Sequence, residues 1–80
     1  MSAETRRFLV LGFASVHDAL SAEAVLEAAG VRVTAIPSPR ELGEICGIAM
    51  RVEFEDADAA ERALTLEGMP PRARAEVFDM

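Results

Sequence analysis

Apolar and polar positions along the chain follow two different periods, and each change of period marks a new element. Arg7–Phe13 (RFLVLGF) is apolar at both parities, the pattern of a central strand covered on both faces, with Gly12 interrupting it near its end. Ser15 stands three residues before Asp18, a capping box with aspartate in place of the usual glutamate. Ala19, Ala22, Val25, Leu26 and Ala29 then share one helical stripe, and Gly30 takes the position that ends a helix, so the spacing predicts a helix over 16–29. Leu20 and Ala24 lie off that stripe, on a side otherwise made of His17, Glu23 and Glu27. Val31–Ile36 (VRVTAI) alternates and is rich in β-branched residues, which predicts a second strand. In Ile48–Glu55 one parity holds Ile48, Met50, Val52 and Phe54, and the other Arg51, Glu53 and Glu55. That is a third strand with a core face and a polar face, on which Arg51 is expected to join cross-strand charge pairs. Asp56 and Asp58 are candidate N-caps of a second helix, Asp58 forming a capping box with Glu61. Ala60, Ala63 and Leu64 give this helix its stripe and Gly68 its stop; Met69-Pro70-Pro71 is a turn and Arg74–Phe78 a fourth strand.

The order β-α-β-β-α-β, with short connections and right-handed crossovers, predicts an α+β fold: the ferredoxin-like split βαβ arrangement, a four-stranded antiparallel sheet with two helices on one face. Residues 1–80 read as a single domain. The sheet's other face receives either Phe8 and Val10 or Leu9, Leu11 and Phe13, and neither set suits water. An 80-residue chain has little stability to spare, so a homodimer through that sheet face is expected.

One segment exceeds what a hairpin needs. Pro37–Gly47 (PSPRELGEICG) joins the second and third strands, where a handful of residues would suffice. Ser38-Pro39-Arg40-Glu41 is a helix-start signal, with Ser38 as N-cap, Pro39 at the first position and Glu41 closing the box, so a short helical turn is expected over 39–44.

Charge and cysteine use narrow the function. Fourteen acidic residues against eight basic ones, all arginine, leave a net charge of −6, the wrong sign for phosphate binding, so nucleic acid is not an expected partner. The longest apolar runs fall far short of the roughly 20 residues of a membrane span, and the opening MSAETRRFLV lacks the apolar core of a secretory leader. A single cysteine excludes an internal disulfide and suits a reducing cytoplasm. One cysteine and one histidine cannot close a four-ligand zinc site, so no metal is expected.

In the expected topology the end of the first strand, the start of the first helix, the 37–47 segment and the 68–71 turn meet at one end of the sheet. Ser15, His17, Arg40, Gly47 and Cys46 are therefore the candidate site: a thiol beside an arginine and the free amides of a helix start, an electropositive setting that favours a thiolate. Other readings stand beside this one. Cys46 shares parity with Ile48 and Met50, as a small core residue would; Ser15 serves as a plain N-cap; His17 suits a solvated first turn; and Arg40 suits a surface ion pair. A short helix running into Cys46 would present its negative end and raise the thiol pKa.

These same residues resemble a known pattern. Pro37-Ser38-Pro39-Arg40-Glu41, then Cys46-Gly47-Ile48-Ala49 and Arg51, are similar to the P-x-P-R-E…C-G-hydrophobic-A-x-R signature of a small bacterial family of selenium/sulfur carrier-like proteins. Phe13, Ser15, Ala19, Leu20, Glu23 and Leu26 fit the family's upstream pattern, with His17 in the same stretch. The similarity covers most of the chain up to Arg51, and the last third is generic. The resemblance implies that Cys46 carries sulfur or selenium as a persulfide or selenopersulfide, handed between a donor such as a cysteine desulfurase and an acceptor enzyme, with no tightly bound cofactor. It implies that Arg40 and Gly47 shape the surroundings of the thiol and that Ser15 and His17 lie on the adjoining helix start. This chain departs from the pattern in Leu42-Gly43-Glu44-Ile45, where small hydroxylated residues are more usual. An acidic and apolar neighbourhood raises a thiol pKa.

Two functions follow. The first is a sulfur or selenium carrier working by thiol exchange on Cys46, which the absence of a second, resolving thiol favours. The second is an interaction or regulatory module that binds a partner chain or a small anionic ligand through residues 37–47. A turnover enzyme is the weaker expectation, because nucleophile, base and orienting group cannot be assembled from this set.

Overall fold

The first helix of the chain is started and stopped by the few residues at its ends. In the computed structural model, which describes residues 6–43 and 47–78, the elements run β1 (Arg7–Gly12), α1 (Val16–Ala28), β2 (Val33–Pro37), a 3-10 turn (Arg40–Leu42), β3 (Ile48–Glu53), a second 3-10 turn (Phe54–Asp56), α2 (Ala57–Leu66) and β4 (Ala73–Phe78). Extended Ser15 caps α1, its hydroxyl oxygen accepting from the amide of Asp18 at 3.0 Å. Past the C-cap Ala29, Gly30 turns left-handed at φ 82°, its amide donating to the Glu27 carbonyl and that of Val31 to Leu26. This double bond satisfies two of the helix's last carbonyls and drops buried Val31 onto the core beside Leu26. It also spends the Val31 amide, so β2 begins two residues later than the alternating pattern suggests. α2 ends in the same way, with Gly68 at φ 71° and Met69 donating to Leu64 at 2.8 Å.

Ser15→Ala removes the acceptor from one amide of α1 and is expected to cost about 1 kcal/mol. For a domain of this size that lowers Tm by about 4–8 °C, measurable by circular dichroism. Ser15→Asn is expected to restore most of the loss, since asparagine caps equally well.

The sheet order is β2-β3-β1-β4, with every pairing antiparallel. This is the expected split βαβ topology: β1 lies in the centre, and β3 and β4 flank it. Strand parity divides the apolar residues into two cores. Leu9, Leu11 and Phe13 join Met50 and Val52 beneath Ala19, Ala22 and Leu26 of α1 and Ala57, Ala60 and Leu64 of α2. Phe8 and Val10 face the other way, with Ala49 and Val77.

That second face is not bare. The turn at Arg40–Leu42 folds back across it and places Leu42 against Phe8, Val10, Ala49 and Val77. The guanidinium groups of Arg6 and Arg51 lie over the Phe8 ring, 5.0 and 4.4 Å from its centroid. Phe8 and Val10 are 1% and 0% exposed within one chain, so these two side chains are covered without a second copy, while Ile36, Ala73 and Ala75 on the same face stay partly exposed.

Three local expectations are corrected. β3 stops at Glu53, and Phe54 turns out of the strand into a 3-10 turn, where the Arg7 guanidinium covers its ring at 3.6 Å. The Asp58–Glu61 box does not form: Asp58 falls inside the first turn of α2, Asp56 at the N-cap makes no side-chain bond to the helix, and Glu61 pairs with Arg74 of β4 at 2.8 Å. Arg51 packs on Phe8 and forms no ion pair among the described residues. Among those residues no helix is long and apolar enough to cross a membrane.

Candidate functional site

The expected meeting of elements at one end of the sheet is met in the backbone. Gly12 at the end of β1 is opposite Ala49 on one side and Ala73 on the other, and the Arg72 amide donates to the Gly12 carbonyl at 2.8 Å. The start of α1, the 37–47 segment and the 68–72 turn therefore surround that end. The stem of the 37–47 segment is closed by pairing of Pro37 with Ile48 and by the Ser38 amide donating to the Gly47 carbonyl at 3.1 Å. Inside it the helical signal is shorter and later than expected. The N-cap position belongs to Pro39, which has no side-chain acceptor, and only Arg40–Leu42 turn, as a 3-10 helix. Gly43 ends it at φ 75°, a left-handed conformation that favours glycine. Cys46 lies outside the described residues, as do Glu44 and Ile45.

The structure divides the other candidates. Ser15 and His17 stand at the start of α1, in the helical layer; Ser15 is half-buried and committed to the Asp18 amide, while His17 is exposed. Arg40 belongs to the turn that packs through Leu42 on the opposite face of the sheet; it is exposed and forms no ion pair among the described residues. Gly47 is exposed at the mouth of the stem. Its φ lies outside the left-handed region, and among the described residues a Cβ added there would meet no other atom within 4 Å. Nothing among the described residues therefore requires glycine at this position. The two halves of the expected cluster sit at one end of the sheet but on elements packed against opposite faces.

Between the start of α1 and the 68–72 turn lies a cleft of about 230 Å³, lined by Phe13, Ala14, Asp18, Gly68, Met69, Pro70 and Arg72. It contains none of the expected site residues and offers one carboxylate and one guanidinium. The sequence pattern puts the 68–71 turn at this end but gives Asp18 only a capping role and Arg72 none. The pairing of Arg72 with the end of β1 appears only once the strand register is known.

The sequence profile of the family described as "Putative Se/S carrier protein-like" matches residues 8–75. The chain belongs to this family. The match takes in nearly all of β1, both helices, the whole 37–47 segment and the first part of β4, so the Se/S carrier-like family covers the core beneath the helices, the second core apart from Val77, and the candidate segment. No curated protein and no solved structure matches the chain significantly.

Proposed function

We propose that this chain is a sulfur or selenium carrier in a reducing cytoplasm, with Cys46 as the carrier thiol. The family match over residues 8–75 carries the reading. Three features support it. The chain has one cysteine, so a persulfide formed on it has no neighbouring thiol to resolve it into an internal disulfide. Gly47, next to Cys46 in sequence, has no described residue crowding the place of its missing side chain. Arg40, exposed and unpaired among the described residues, supplies a cation on the same segment to meet an anionic persulfide.

The exchange is balanced. The Cys46 thiolate attacks the outer sulfur of a donor persulfide, a new S–S bond forms at Cys46 as the donor's S–S bond breaks, and the electron pair leaves on the donor's cysteine. The donor thiolate takes up the proton that Cys46 released. Delivery to an acceptor enzyme repeats the step with the chain as donor, and selenium follows the same course. No tightly bound cofactor enters.

The test is the pH dependence of Cys46 alkylation in the folded chain, which a single thiol makes unambiguous. The expected result is reaction in the native state with an apparent pKa below the free value of about 8.5. A thiol that reacts only after denaturation overturns the carrier reading and leaves residues 37–47 as a binding surface for a partner or an anionic ligand.

A further inference from the structure

The outer side of α1 is apolar without being covered. Val16 and Leu20 are 48% and 50% exposed, and Ala24 continues the same line at the next i+4 position, also exposed. The inner side of the helix is already used, by Ala19, Ala22 and Leu26. Alongside the outer stripe run Glu23 and Glu27. Neither of these two carboxylates forms an ion pair among the described residues, whereas Glu53, Asp56, Glu61 and Glu76 each hold an arginine. No arginine or lysine occurs between Arg7 and Arg32, so the helix carries no cation of its own apart from His17 when protonated.

From this stripe and its uncompensated carboxylates we infer that α1 is a docking surface for a partner protein that presents apolar side chains flanked by arginine or lysine. Charge selects that occupant. A second copy of the chain meeting α1 to α1 would set Glu23 and Glu27 against their own counterparts, a like-charge contact that opposes association. Anionic lipid and nucleic acid are repelled by the same groups. A basic partner gains apolar burial along Val16, Leu20 and Ala24, and the carboxylates steer its approach. Val16 lies at the end of the sheet where the 37–47 segment also emerges. The surface does not depend on what Cys46 carries.

The experiment titrates the ¹⁵N-labelled full chain, with Cys46 and as Cys46→Ser, with a synthetic helical peptide bearing leucines at i, i+4 and i+8 flanked by arginines. A matched peptide with glutamates in place of the arginines is the control. The expected result is amide shifts confined to 16–27, equal in both chains. Affinity is expected to weaken by about fivefold between about 30 and about 300 mM salt. Leu20→Glu is expected to weaken binding by about tenfold or more, by removing apolar burial and adding like charge, while Leu66→Glu on α2 leaves it unchanged. Leu66 is 80% exposed and Leu20 lies outside the core, so both variants keep the fold. Equal binding of the two peptides, no binding, or shifts scattered over the whole acidic surface would overturn the proposal. So would a concentration-dependent mass that Leu20→Glu abolishes, which would assign the stripe to self-association.

Discussion

Exchange of Cys46 for serine abolishes the loading of sulfane sulfur onto the chain. Serine lacks the polarisable sulfur that accepts the transferred atom, and there is no second cysteine to substitute for it, so the expected residual is zero and not a fraction. Mass spectrometry after incubation with a persulfide donor reads the result directly as gain or absence of one sulfur. The variant's melting curve, taken alongside, shows whether the fold survives. Loading that persists in Cys46→Ser eliminates the proposed mechanism. Gly47→Val gives a graded companion. The backbone at Gly47 is not left-handed and no described residue stands within 4 Å of an added Cβ, so the larger side chain is expected to be tolerated by the fold but not by a bulky donor approaching the neighbouring thiol. Slower loading from a protein donor with an unchanged rate from a small persulfide would place the restriction at partner access.

The second large effect concerns stability. Leu42→Ala is expected to lower stability by about 2–3 kcal/mol, the cost of deleting a packed leucine side chain. Leu42 is only 9% exposed and is the one large residue that the 3-10 turn lays on Phe8, Val10, Ala49 and Val77. A domain of this size holds about 5–10 kcal/mol in total, so Tm should fall by about 10–20 °C. Leu42→Asp is expected to do more, because it sets a charge on an apolar face and lifts the cover off it. The uncovered face should then bind a hydrophobic dye and drive self-association, read as a rise in mass with concentration. A shift of only about 2 °C for Leu42→Ala would show that the turn does not cover the second core.

These outcomes bear on what could be read in advance. The fold was legible because its signals are local: Ser15 opening α1, Gly30 and Gly68 closing both helices, and strict alternation through Met50 and Val52. Pairing order then followed from short connections and handedness. What escaped the sequence was nonlocal. Phe54 continues the alternation of β3 but leaves the strand, because the chain turns into α2 there and Arg7 supplies a cover from another strand. Glu61 fits a capping box but is claimed by Arg74 of β4. The 37–47 segment stood out by its length and its helix-start residues, yet its packing role did not, since one leucine in a polar stretch carries no periodicity. Of the candidate residues, Ser15, His17, Arg40 and Gly47 stand on elements that meet at one end of the sheet, and Cys46 lies outside the described residues. Which face each occupies depends on the direction in which that segment folds, and no spacing rule supplies it.

The central position of β1 carries a consequence for how the chain reaches this state. The strand made first pairs with β3 on one side and with β4, near the other end of the chain, on the other. The edges of the most apolar strand therefore stay open until β3 and then β4 have been made, and closing them means closing long loops against chain entropy. Folding should be slow for so small a domain, with Phe8–Leu11 as the aggregation-prone element of the nascent chain until Ala73–Phe78 arrives to seal its last edge.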